Sequence, residues 1–144
     1  MGRLVHVLHI HPALVHLPIA LFLCAFGFEV ASRVLQKQNW HRTALHLYIL
    51  AAVLSPVVVQ AGLWEQAYLH LHHPLVETHK VFGLITMWTA LTSLPVLWFV
   101  QKKNPQIFRK VFIIFTLFIA MTVSTAAYYG GRMVYDYGVG IDEQ

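Results

Sequence analysis

Apolar positions along the chain are gathered into four long blocks, which short polar stretches separate. Each block reaches the roughly 20 residues that a helix needs to cross the hydrocarbon core of a bilayer. Open strands are excluded from this environment because lipid cannot satisfy the hydrogen bonds of their backbone. The pattern therefore predicts four transmembrane helices, over about residues 12–35, 43–64, 77–100 and 111–131.

The polar links between the blocks are short, at about residues 36–42, 65–76 and 101–110. Short links force neighbouring helices to run antiparallel. We therefore expect an all-α integral membrane protein, in which residues 1–144 form a single four-helix up-down-up-down bundle. Composition agrees, because 58% of the residues are hydrophobic and 11% are charged, whereas a soluble domain has about a quarter charged residues.

Basic residues cluster beside the apolar blocks, which is typical of membrane topology signals and not of nucleic-acid binding. We call side A the membrane face that carries both termini and the second link, and side B the opposite face. Side A carries three Lys and Arg residues, and side B carries seven. The positive-inside rule then predicts that side B is cytoplasmic and that both termini lie outside. The side B residues are Arg33, Lys37, Arg42, Lys102, Lys103, Arg109 and Lys110.

Ten histidines are the main chemical feature of the chain. Histidine within a membrane is costly and usually functional. Two histidines, His41 and His46, lie near side B, and the other eight gather on or near side A. The side A group consists of His6, His9, His11, His16, His70, His72, His73 and His79.

His16 and His79 are the strongest candidates for a cofactor site. Each lies about one turn inside its predicted helix from side A, so the two have similar depth. Two histidines at equal depth on two helices of a bundle can hold haem iron from both sides. Gly83, one turn below His79, leaves room for a flat macrocycle. Lys80 and Arg132 lie near the same surface and are candidates for neutralising haem propionates.

Other interpretations of these histidines remain open. The pair can serve only as hydrogen-bonding groups at helix ends, or it can hold a bare copper or zinc ion with His11 and Glu77. His11 is also a rival haem ligand: it lies five residues before His16, so on one continuous helix the two would point about 140° apart. His72 and His73 are expected in the second link, solvated or at a surface metal site.

Glu29 and His46 lie at roughly matching depths near side B, so we expect them to pair. A buried carboxylate without a partner is expensive. The pair is expected to be structural, with proton handling as the alternative. No nucleophile–base set, phosphate loop or dinucleotide motif is present, so an enzyme is not indicated.

Three stretches carry a resemblance to a known family. They are HPALVHLPIAL over residues 11–21, HKVFG over 79–83 and GGRMVYDYGVG over 130–140. In this order, separated by hydrophobic helices, they resemble the bacterial membrane family called domain of unknown function 2231, over nearly the whole chain. The resemblance implies a four-helix domain of the bacterial inner membrane that looks like cytochrome b-type proteins, with His11, His16 and His79 as its motif histidines. The chain has no Cys-x-x-Cys-His, so it carries no c-type haem of its own.

Three functional hypotheses follow. The first is a small membrane protein or complex subunit that binds haem b through His16 and His79, with His11 beside them, and passes electrons to a periplasmic carrier or to quinone. The second is a non-catalytic accessory subunit of a larger membrane complex or homo-oligomer. The third is a copper- or zinc-binding membrane protein.

Overall fold

The computed structural model describes residues 10–70 and 73–138, and side chains from residue 14 onward within these ranges. Four helices follow one another and are all long and apolar enough to cross a membrane. They are α1 (Ile10–Val34), α2 (Gln38–Tyr68), α3 (Pro74–Lys103) and α4 (Pro105–Tyr135). The prediction of an all-α four-helix membrane bundle is therefore confirmed.

Neighbouring helices run antiparallel because the connections between them are too short for any other arrangement. α1 packs most extensively on α2, and α3 on α4, while α1–α4 and α2–α3 contacts close the ring. The up-down-up-down order predicted from the links is thus the observed one. Side A holds the start of α1, the α2–α3 link and the end of α4, and side B holds the other two links.

Three of the helices are longer than their hydrophobic blocks. α2 begins at Gln38, where residue 43 was predicted, and α4 begins at Pro105, where residue 111 was predicted. The prediction was wrong at these ends because it followed apolar residues, whereas the backbone hydrogen bonds continue into polar interfacial sequence. A helix of 31 residues spans about 46 Å, well beyond a hydrocarbon core of about 30 Å.

The α3–α4 connection is a single residue, Asn104. Its side-chain oxygen accepts hydrogen bonds from the backbone N–H groups of Gln106 and Ile107 at 3.0 and 3.1 Å. Its own N–H donates to the carbonyl of Val100, so the residue closes α3 and caps α4 at once. Pro105 occupies the first position of α4, where a missing N–H has no cost.

The bundle interior combines small residues with a few large aromatic rings. Ala44, Ala51 and Ala90 are fully buried, which lets helix backbones approach closely. The Tyr48 ring packs edge-on against Phe112, with 5.4 Å between ring centroids. The large apolar residues on the outside, among them Leu17, Val57, Trp88 and Phe118, face the space that lipid fills.

Pro56 removes one backbone donor from the middle of α2, and a neighbouring hydroxyl compensates. In a regular helix the N–H at position 56 would bind the carbonyl of Ala52, four residues back. Here the hydroxyl of the buried Ser55 donates to that carbonyl at 2.8 Å. The helix therefore continues through the proline without leaving a bare carbonyl in an apolar interior.

Candidate functional site

A cavity in the described part of the chain lies inside the bundle, in the half nearer side A. Its volume is about 280 Å³, and all four helices contribute to its wall. Apolar groups dominate the lining, with a few polar side chains towards the side A end. The lining residues that matter here are Val15, Ile19 and Phe22 of α1; Val58, Gly62 and Glu65 of α2; His79, Lys80 and Gly83 of α3; and Val123 and Ala126 of α4.

Small residues on three helices make room for this cavity. Gly62 lies on α2, Gly83 on α3, and Ala126 and Ala127 on α4. No heavy atom outside the local helix lies within 4 Å of the point where a Cβ of Gly83 would stand. The space above Gly83 is therefore open.

His79 is a half-buried side chain held on the cavity wall by α4. Its Nδ1 lies 2.8 Å from the backbone carbonyl oxygen of Ala126. A Cβ at Gly130 would stand 3.0 Å from that Nδ1 and 3.1 Å from Cε1. The imidazole ring thus lies against bare backbone of α4, one turn beyond the carbonyl that fixes it. The sequence indicated His79 but not this contact with Gly130.

His16 does not line the cavity. The α1 residues that do line it include Val15, Ile19 and Phe22, which share one helical face. His16 lies about 100° around the helix from Val15, and its side chain is exposed on the outside of the bundle. The structure therefore places one of the two expected axial ligands on the cavity and the other outside it.

The residues expected to neutralise propionates are engaged with neighbouring carboxylates. Lys80 lines the cavity, and its Nζ lies 2.5 Å from Oε2 of Glu77. Arg132 stands farther out, where its Nε lies 2.8 Å from Oδ2 of Asp136. Arg132 is not part of the cavity wall. Of these two cations, Lys80 is the one positioned to meet an anionic group on a ligand.

The other described side A histidines, His70 and His73, do not line the cavity. His73 caps α3, because its Nδ1 accepts a hydrogen bond from the backbone N–H of Leu75 at 3.2 Å. His70 is exposed in the α2–α3 link. The remaining predicted groups fall outside what the structure describes: the side chain of His11, and residues His6, His9, His72 and Arg3.

Among the described side chains, those of residues 14–70 and 73–138, no three His, Cys, Asp or Glu side chains come together as a metal ion would require. A structural zinc site needs four such ligands and a catalytic one three. An axial haem ligand, by contrast, needs one well-oriented imidazole on each side of the ring.

The most highly charged buried cluster lies near side B and joins α1, α2 and α4. Glu29 is fully buried, and its two oxygens meet Arg33 at 2.9 Å and His41 at 2.5 Å. Arg33 also donates to the backbone carbonyl of Arg109. Arg109 in turn donates to the hydroxyl of Ser32 at 3.3 Å. One acid and two arginines from separate helices thus hold the side B end of the bundle together.

The predicted pairing of Glu29 with His46 was wrong. His46 is exposed on the outer surface of α2, and His41 is the buried partner. The prediction placed residue 41 in a loop, whereas α2 begins three residues before it. The signal was available: His41 begins a row with Ala44, Tyr48, Ala51 and Ser55 that repeats every three to four residues and lies inside the bundle.

One comparison with known proteins identifies a family. The family model described as "Predicted membrane protein (DUF2231)" matches residues 8–143. The chain belongs to this family, as its three sequence stretches indicated. No curated protein and no solved structure matches the chain.

Proposed function

We propose that this member of the DUF2231 family binds one haem b in the side A cavity, with His79 as an axial ligand, and carries electrons near the non-cytoplasmic face. One observation carries the proposal: an imidazole on the wall of an apolar intramembrane cavity is fixed through Nδ1 by the Ala126 carbonyl. Ligating histidines typically donate their second ring N–H to such a partner, which orients the ring.

The chemistry of the residues around the cavity suits a flat, largely apolar cofactor with an anionic edge. Gly83 leaves open wall on α3, and Phe22 and Val58 supply apolar contact. Lys80 stands at the polar end, where it can exchange Glu77 for a propionate. A bound haem supplies a one-electron iron couple. The chain's own residues orient it, exclude water from its faces and balance the charge of its edge.

We assign the second axial position to His11 in preference to His16. His11 is the rival ligand that the sequence offers on the same helix. His16 matches the depth of His79 but lies on the exposed face of α1. Two histidine ligands fill both axial positions, which favours electron transfer over oxygen binding.

The orientation in the membrane follows from charge. With side B cytoplasmic in the bacterial inner membrane, the cavity opens towards the periplasmic half of the bilayer. A haem there exchanges electrons with a periplasmic carrier protein or with quinone, as a lone subunit, a homo-oligomer or part of a larger complex.

The test is a reduced-minus-oxidised visible spectrum of protein purified after haem-replete expression. We expect about one haem per chain in the unaltered protein and a loss of at least tenfold in His79→Ala. His46→Ala is the matched control, since that histidine is exposed near the opposite face, and it should keep its haem. Absence of both a Soret band and iron from the unaltered protein overturns the proposal. So does equal haem content in the two variants.

A further inference from the structure

The contacts of His79 with α4 determine which nitrogen of its imidazole ring carries a proton. A backbone carbonyl oxygen only accepts hydrogen bonds. Nδ1 of His79 lies 2.8 Å from the carbonyl oxygen of Ala126, so Nδ1 must carry the proton of this bond. In the neutral ring, the lone pair then resides on Nε2.

Gly130 is the residue that permits this bond. Because Gly130 has no side chain, the Nδ1–Cε1 edge of the ring can lie against its backbone. A Cβ at Gly130 would stand 3.0 Å from Nδ1 and 3.1 Å from Cε1. Such a separation is tighter than ordinary van der Waals contact. An alanine at this position therefore pushes the ring away from α4 and lengthens its bond to Ala126. Gly131, the next residue, has no such neighbour within 4 Å.

We infer that Gly130 and the Ala126 carbonyl are positioning groups that hold the His79 ring against α4 with a proton on Nδ1. This inference deepens the proposed function and rests on it for the identity of the ligand.

The first measurement is nitrogen NMR of histidine-labelled protein without haem in lipid nanodiscs, with the His79 signals assigned by their loss in His79→Gln. We expect the Nδ1–H tautomer for His79 in the unaltered protein. Observation of the Nε2–H tautomer overturns the inference. If the Nδ1–H tautomer is found but no haem binds, the inference stands and the proposed haem function fails.

The second measurement compares Gly130→Ala with Gly131→Ala, a matched pair of neighbouring glycines. We expect Gly130→Ala to populate both tautomers and to weaken haem retention by about tenfold, the size of one lost hydrogen bond. Gly131→Ala should match the unaltered protein in both readouts. Equal tautomer populations and equal retention in the two variants contradict the positioning role, provided that circular dichroism shows both to be folded.

Discussion

Nδ1 of His41 lies 2.5 Å from Oε2 of Glu29, and these two buried side chains link α1 to α2 across the interior of the bundle. Arg33 occupies the other oxygen of the same carboxylate. A fully buried carboxylate is tolerable in this position because hydrogen-bond donors meet both of its oxygens. The arrangement joins α1 to α2 through polar side chains at the side B end of the bundle.

Removal of one partner of this pair is expected to destabilise the bundle strongly. His41→Ala leaves part of the Glu29 carboxylate buried without a donor, which costs about 3 kcal/mol or more. The midpoint of thermal unfolding in detergent should fall accordingly. His46→Ala, on the exposed face of the same helix, should change stability by no more than about 0.5 kcal/mol. Similar midpoints for the two variants contradict the structural role of the pair.

The Glu29–His41 pair shows what hydropathy alone can and cannot predict. Hydropathy was sufficient to predict four helices, because a bilayer leaves the backbone few alternatives. It was not sufficient to predict the partner of Glu29, since a shift of a few residues in the start of α2 exchanges His46 for His41. Depth in the membrane likewise suggested His16 as a ligand. His16 lies on a different side of α1 from Val15, however, and does not line the cavity.

The Tyr48–Ser93 hydrogen bond predicts an asymmetry between two substitutions. The hydroxyl of Ser93 donates to the Ala90 carbonyl at 2.7 Å, so Tyr48, 2.7 Å away, is the donor to Ser93. Tyr48→Phe removes only that donor and should cost about 0.5 to 1 kcal/mol. Ser93→Ala leaves the buried Tyr48 hydroxyl without its acceptor and should cost about 1 to 3 kcal/mol. Unfolding by denaturant of both variants checks the order, and a larger cost for Tyr48→Phe contradicts it.

Ser55 and Pro56 should be energetically coupled. Ser55→Ala exposes the Ala52 carbonyl to an apolar interior and is expected to destabilise α2 by about 1 kcal/mol. In a Pro56→Ala background the new N–H at position 56 binds that carbonyl, so Ser55→Ala should then be nearly neutral. A double-mutant cycle measures the difference. Additive effects of the two substitutions exclude this compensation.

His11 and His16 should differ in their effect on the haem. We expect His16→Ala to keep a low-spin spectrum and full haem content. His11→Ala should lose the low-spin signature while retaining haem through His79. Visible and electron paramagnetic resonance spectra of the purified variants distinguish these cases. The reverse result, with loss of the low-spin signature in His16→Ala alone, restores His16 as the ligand and contradicts the assignment of His11.

The proposed orientation, with side B in the cytoplasm, predicts which end of the bundle an impermeant thiol reagent can reach. Cys24 is first replaced by serine, so that each test protein carries one cysteine. Asp136→Cys, at the exposed end of α4, should be labelled in intact spheroplasts. Gln38→Cys, exposed at the start of α2, should be labelled only after lysis. Labelling in the opposite order contradicts a cytoplasmic side B.

The one-residue turn at Asn104 has a consequence for how the chain enters the bilayer. α3 and α4 have no slack between them, so once both are helical neither can shift across the membrane without the other. We expect the two to insert as one hairpin, with the positively charged corner remaining on side B. A flexible segment inserted at Asn104 would allow α3 and α4 to insert into the membrane separately.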